Sequence, residues 1–402
     1  MQDEARNTPM QSSGGVTDLR GAFQKIFGLG ARLFRAPGRV NVIGEHTDYN
    51  QGFVMPAAID LYCWVAIAPR EDRQLKLLST NFENSLLLDL NDKSVARSGN
   101  WTDYVVGTAL ALEKHGHRLR GADLLVHGAV PIGSGLSSSA AIEVSTGYAL
   151  LEISGEQIDL KELALSCRQA ENEFVGARVG IMDQFISAHG QAGHAVMLDC
   201  RSLELTALPI PKELGLVVCN TGVKHQLAGG EYNVRRAQCE EGVQRLAAAL
   251  PGIESLRDVT LTQLEEHKSL LPEVIYRRCR HVVSENERVL EAAGALKEND
   301  TAKLGTLMAA SHKSLQEDYE VSCAELDTMV EIAGRQPGVV GARMTGGGFG
   351  GCTVNLVRSD RAEEFKDGVA KEYEKRTGIH PEIYVLNASR GVHSVAASEL
   401  GL

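Results

Sequence analysis

No CxxC pair occurs among the eight cysteines of this 402-residue chain, and no two of them stand close together. Zinc sites and redox motifs depend on close spacing, so the thiols are expected to be reduced and the protein to be cytosolic. A long apolar run is also missing. Spanning a bilayer takes about 18 consecutive apolar residues, and the N-terminus lacks the basic-then-apolar order of a secretion signal. A soluble cytoplasmic chain with no membrane partner is the expectation. Positive charge is in deficit, with 41 Lys and Arg against 52 Asp and Glu and a net charge of −11. General nucleic-acid and anionic-membrane surfaces are basic, so both are disfavoured, and any anionic ligand must be held locally. The glycine-rich loop at 133–139 matches neither GxxxxGK[ST] nor GxGxxG, and no internal repeat or long low-complexity segment is seen. Residues 1–16 are polar and read as a flexible leader. With 43% hydrophobic residues, the remainder can bury a large core and is expected to form two domains, 17–210 and 211–402.

Glycine is present in clusters. In PIGSGLSSSAAIEVSTGYALL, Gly133, Ser134, Gly135 and Leu136 lead into Ser137, Ser138 and Ser139, and then into a segment whose apolar residues recur at three- and four-residue spacings. A glycine-rich turn entering a helix aims free N–H groups and the positive end of the helix dipole at one point, which suits a phosphate. Taken alone, the same residues also fit a tight turn and a helix cap. A second cluster, TGGGFGGC from Thr345 to Cys352, holds five glycines in six positions. Either the backbone approaches something closely there, or the turn is a bulged hairpin.

Between apolar segments, Arg39, Asn41, Glu45, His46, Thr47, Asp48, Tyr49 and Asn50 fall within twelve positions. Such groups would be costly in a dry interior, but a loop lining a wet cleft can aim them at a ligand rich in hydroxyls. Asp183 is a lone carboxylate in VGIMDQFISAH, where it serves as a helix N-cap or as a functional acid.

Periodicity and turn signals predict a helix at 17–27, a strand from Arg32 ended by Pro37 and Gly38, and a hairpin of strands 59–70 and 74–81 turning at Glu71-Asp72-Arg73. They further predict a helix at 101–116 capped by Asn100, a strand at 121–130 and a long helix at 161–175. Strands follow at 194–200, 203–210 and 214–221, then a helical, charged region to about 334. A strand at 339–344, another leaving the glycine turn, a helix at 362–377 and an edge strand at 383–386 complete the pattern.

Three segments in this order, APGRVNVIGEHTDYNQG, PIGSGLSSSAAIEV and MTGGGFGGC, resemble the galactokinase family of the GHMP kinase superfamily. GIMDQFIS, ENEFVGARVGIMD and EYNVRRAQCEE are also similar to galactokinase segments. The resemblance implies an α+β fold of two lobes: an N-terminal lobe with a mixed sheet and helices, a C-terminal lobe with an antiparallel sheet and helices, and the active site between them. It implies phosphoryl transfer from ATP to the C1 hydroxyl of galactose, with Asp183 and Arg39 catalytic. Glu45, His46, Thr47, Asp48, Gly180, Asp183 and Tyr232 would bind the sugar. Gly133 to Ser139 would hold the phosphates, Ser139 and Glu171 would ligate Mg2+, and Trp101 and Ser79 would lie near the adenine. A monomer is expected. The alternatives are a kinase for a related sugar such as N-acetylgalactosamine, or a non-catalytic galactose and ATP sensor. Departures from the family pattern are confined to Val42, Ser134 and Lys224.

Overall fold

The structure, a computed structural model, describes residues 19–92, 94–224, 228–396 and 399. Its first sheet is built from β1 (Arg32–Ile43), β2 (Phe53–Pro69), β3 (Gln74–Ser79), β4 (Leu86–Asp89), β5 (Ala122–Gly128), β6 (His194–Asp199) and β7 (Leu205–Pro209). A second, four-stranded sheet contains β8 (Leu214–Lys224), β9 (Val339–Thr345), β10 (Gly350–Arg358) and β11 (Glu382–Leu386) in the order β11-β8-β10-β9. A last short strand, β12 (His393–Ser394), returns to pair with β1. The helices nearest the functional residues are α1 (Leu19–Phe27), α2 (Thr102–Lys114), α3 (Ser138–Ser154), α4 (Leu160–Gln169), α5 (Met182–His189), α6 (Ala228–Leu246), α7 (Leu261–Glu266), α8 (Glu273–Lys297) and α9 (Thr301–Glu317). Among the described residues no helix is long and apolar enough to cross a membrane. The eight cysteines are unpaired.

Three expectations change. Pro37 and Gly38 do not end β1. Pro37 takes its place opposite Tyr62, and the register shift between Pro37 and Arg39 absorbs the missing donor as a bulge. Past the bulge, the Arg39 N–H donates at 3.0 Å to the carbonyl of Leu136, in the glycine-serine loop. The anticipated β2–β3 hairpin does not form either, because β5 runs between the two strands, antiparallel to β2 and parallel to β3. A parallel neighbour requires a crossover, which α2 supplies. Finally, the helix at 161–175 is not uniform: α4 stops at Gln169 and a π-helical turn, Ala170–Val175, continues it. Glu171 is thereby buried, while Glu173 stays at the surface with Lys114 and Gln169.

The central helix α3 buries Ala140, Ala141, Val144, Leu150 and Leu151 against β1, β2 and α2. It is anchored on several sides, so its N-terminus, where the serine run sits, is fixed relative to β1.

Candidate functional site

Arg39 and Asp183, 144 positions apart, meet side by side. Arg39 Nε donates to Asp183 Oδ1 and Nη2 to Oδ2, both at 2.9 Å. This two-pronged geometry fixes both planes. Arg39 is buried; Asp183 is 24% exposed and opens into a cavity of about 290 Å³. Burial acts to lower the Arg39 pKa, but the charges of Asp183, then Glu45 and Asp48, outweigh it and raise it. Ser137, in the left-handed conformation just before α3, donates to Asp183 Oδ2 at 2.5 Å, and Arg39 Nη1 donates to the Gly135 carbonyl. Asp183 is therefore not the cap of α5. It lies in that helix's first turn, held by β1 and by the glycine-serine loop.

The same cavity is walled by Glu45, His46, Asp48, Gly180, Tyr232, Gly346 and Gly347. Glu45 accepts from the Gly346 N–H at 2.7 Å and stands 3.5 Å from Arg343, tying the polar loop to the second glycine turn. His46 contacts the Tyr49 hydroxyl through Nδ1 at 2.8 Å, while its buried Nε2 has no partner. Burial lowers its pKa to about 3, so the ring is neutral. Asp48 is raised to about 6, first by burial and then by the charge of Asp183. It lies so close to Gly180 that a Cβ there would be 1.7 Å from Asp48 Oδ2. Thr47 does not face the cavity: its hydroxyl donates to the carbonyls of Gly44 and Phe53, pinning the turn that presents its neighbours.

Among the loop residues, Gly133, Gly135, Ser137, Ser138 and Ser139 line the cavity. Ser134 is buried and bonds the Pro131 carbonyl, and the Leu136 side chain is buried in the core. The two glycine turns touch backbone to backbone: a Cβ on Gly346 would lie 3.1 Å from the Gly135 carbonyl. Close approach and the bulge at Gly350/Cys352 thus both hold for the second turn.

Ser139 and Glu171 come together, near enough for the hydroxyl to favour the charged carboxylate. Burial, followed by the charge of Asp183, raises Glu171 to about 7. Among the described residues no cluster of three or more His, Cys, Asp or Glu could hold a metal. A hydroxyl and a carboxylate beside the glycine-serine loop nonetheless suit Mg2+, which takes one or two protein oxygens, waters and substrate phosphates.

A second cavity, about 510 Å³, shares Ser138 and Ser139 with the first and is lined by Phe82, Trp101, Tyr104, Ile132 and Ile142. Trp101 stacks near Phe82 with ring centroids 6.3 Å apart, and its Nε1 donates to the Asn84 carbonyl. Ser79 is not in that lining; its hydroxyl accepts from the Asn81 N–H. Phe82 carries no sequence signal. Arg343 and Glu143, both fully buried, are lone charges in an apolar strand and helix and so carry the signal that marks Asp183, whereas Gln184, also fully buried, is uncharged and carries none.

The galactose-binding signature of galactokinases matches residues 21–69, the N-terminal domain of GHMP kinases residues 103–191 and their C-terminal domain residues 292–375. A galactokinase of Chloroflexus aggregans is 49% identical over 96% of this chain and 99% of its own length. One from Roseiflexus sp. is 45% identical over 94% of this chain and 97% of its own. The Lactococcus lactis galactokinase structure, complexed with galactose, superposes with a TM-score of 0.91 at 35% identity, covering 94% of this chain and 99% of that one. The Methanococcus jannaschii mevalonate kinase, at 21% identity and a TM-score of 0.62, shares the fold. With whole-length relatives at this identity, and with the signature falling on the loop that walls the Arg39–Asp183 cavity, the chain belongs to the galactokinase family of the GHMP kinases.

Proposed function

We propose that the protein transfers the γ-phosphate of ATP to the C1 hydroxyl of D-galactose, giving galactose 1-phosphate and ADP. The observation that carries this reading is the Arg39–Asp183 fork at the floor of a polar cavity abutted by the glycine-serine loop. Glu45, Asp48 and the unpartnered His46 Nε2 offer acceptors and a donor or acceptor to sugar hydroxyls, and Tyr232 closes the side. N–H groups of Gly133 to Ser139 cradle the phosphates at the start of α3. The apolar cavity holding Trp101 receives the base.

Catalysis in such a site is mostly alignment and charge neutralisation. Both Asp183 oxygens already accept hydrogen bonds, so the carboxylate orients the C1 hydroxyl and takes its proton late. Arg39 stabilises negative charge developing between sugar oxygen and phosphate. Ser139 and Glu171 would hold Mg2+, which when bound neutralises phosphate charge. Two lobes, one built mainly from residues 17–210 and the other from 211 onward with the last strand returning to the first lobe, together with a monomeric state and a cytoplasmic location, complete the reading.

An ATP-consumption assay over galactose, N-acetylgalactosamine, glucose and arabinose tests it. Galactose should give the highest kcat/KM. Preference for N-acetylgalactosamine would reassign the substrate, and binding without turnover would indicate a sensor.

A further inference from the structure

Behind the glycine-serine loop, two acidic side chains converge on one amide. Gln184, on α5 next to Asp183, donates through Nε2 to Glu171 Oε2 at 2.6 Å and to Glu143 Oε2 at 3.1 Å. All three side chains are buried, and Gln184 and Glu143 are fully so. This leaves Gln184 Oε1 and Glu143 Oε1 buried with no hydrogen-bond partner. If Glu143 were a carboxylate, both orphans would be acceptors, and neither could satisfy the other. A carboxylic acid, by contrast, complements a carboxamide, each group donating once and accepting once. The second Nε2 hydrogen then remains for Glu171. Burial, with the charge of Glu171 adding, holds the Glu143 carboxyl well above the usual carboxylate range, in keeping with this count.

We propose that Gln184, clamped by a neutral Glu143, is a positioning residue that holds the Glu171 carboxylate beside Ser139. Three elements meet at this amide: α3, which begins at the serine run; the π-helical turn that carries Glu171; and α5, which carries Asp183. The clamp thereby fixes the distance between the metal-binding oxygens and the acid that faces the sugar. It rests on the reading of Ser139 and Glu171 as metal ligands. Partners one layer behind a metal ligand are worth about 10–100-fold in metal affinity.

The test is direct Mn2+ binding, read by electron paramagnetic resonance in the presence of a non-hydrolysable ATP analogue. Gln184→Met removes both donors at similar volume and is expected to weaken Mn2+ by about 10–100-fold. The apparent KM for Mg2+ should rise by a like factor, with galactose affinity by calorimetry unchanged. Glu143→Met should weaken Mn2+ in the same way, and Glu143→Gln, which keeps a neutral hydrogen-bonding head, should restore what Glu143→Met loses. Wild-type Mn2+ affinity in Gln184→Met overturns the proposal, as does a Glu143→Gln variant as weak as Glu143→Met. Should Gln184→Met not fold, the two Glu143 variants decide the matter alone. Wild-type protein that binds the analogue but no Mn2+ overturns the ligand assignment itself, which separates that failure from failure of the clamp.

Discussion

Replacing Gly180 with alanine tests the proposed sugar site at its tightest point. The three nearest heavy atoms to an added Cβ all belong to the Asp48 carboxylate, at 1.7, 2.3 and 2.9 Å, so Asp48 must move. Gly180 does not adopt the left-handed conformation, so alanine brings no backbone strain and the effect isolates the contact. Pushing Asp48 off its rotamer costs roughly 0.5–1.5 kcal/mol, and losing its hydrogen bond to a sugar hydroxyl about 1.5–3 kcal/mol. Together these give about 2–4.5 kcal/mol, or roughly 30- to 2000-fold in galactose affinity at about 1.36 kcal/mol per tenfold. Calorimetric titration with galactose and, separately, with an ATP analogue should show the loss for the sugar alone. With Asp48→Ala already in place, Gly180→Ala should add little, because the two changes act on one contact. Unchanged galactose affinity in Gly180→Ala, or equal losses for both ligands, would refute the reasoning.

Asp183→Ala is expected to lose turnover by roughly 10²–10⁴-fold or more while still binding nucleotide, since alignment and proton transfer go together; near-normal turnover would remove Asp183 from the chemistry. Galactose affinity without nucleotide should weaken as pH falls from 7 to 5, because Asp48, raised to about 6, protonates and ceases to be a pure acceptor. His46, held at about 3, stays neutral across that range, so Asp48→Asn should flatten the profile. Stability moves the opposite way: the folded state holds the Asp48 proton more tightly than the unfolded chain does. This group alone therefore subtracts stability as pH rises from about 4 to 6, which Asp48→Asn should relieve in melting curves. Trp101→Ala should weaken ATP by roughly 1–3 kcal/mol if the base stacks there, leaving galactose binding intact on calorimetry.

The amino-acid sequence by itself determined the local elements and the chemistry available. Apolar periodicity and turn signals marked α3 and most of the strands, and clustered Arg39, Glu45, His46 and Asp48 announced a hydroxyl-rich ligand because such groups are costly in a dry interior. The glycine turns were legible as close approaches or bulges, and prove to be both. Tertiary structure decided everything that depends on pairing across long separations. Whether Asp183 capped a helix or faced Arg39 turned on where α5 packs against β1. The slot between β2 and β3 went to β5 because a crossover through α2 delivered it, which no turn signal at Glu71–Arg73 records. Thr47, Ser134 and Leu136 sit inside motifs yet turn inward, since an alternating or turning backbone sends neighbouring side chains to opposite sides. Buried Gln184, Glu143 and Arg343 have partners far away in the chain, so their hydrogen bonding exists only once α3 meets α5 and β9 meets β1.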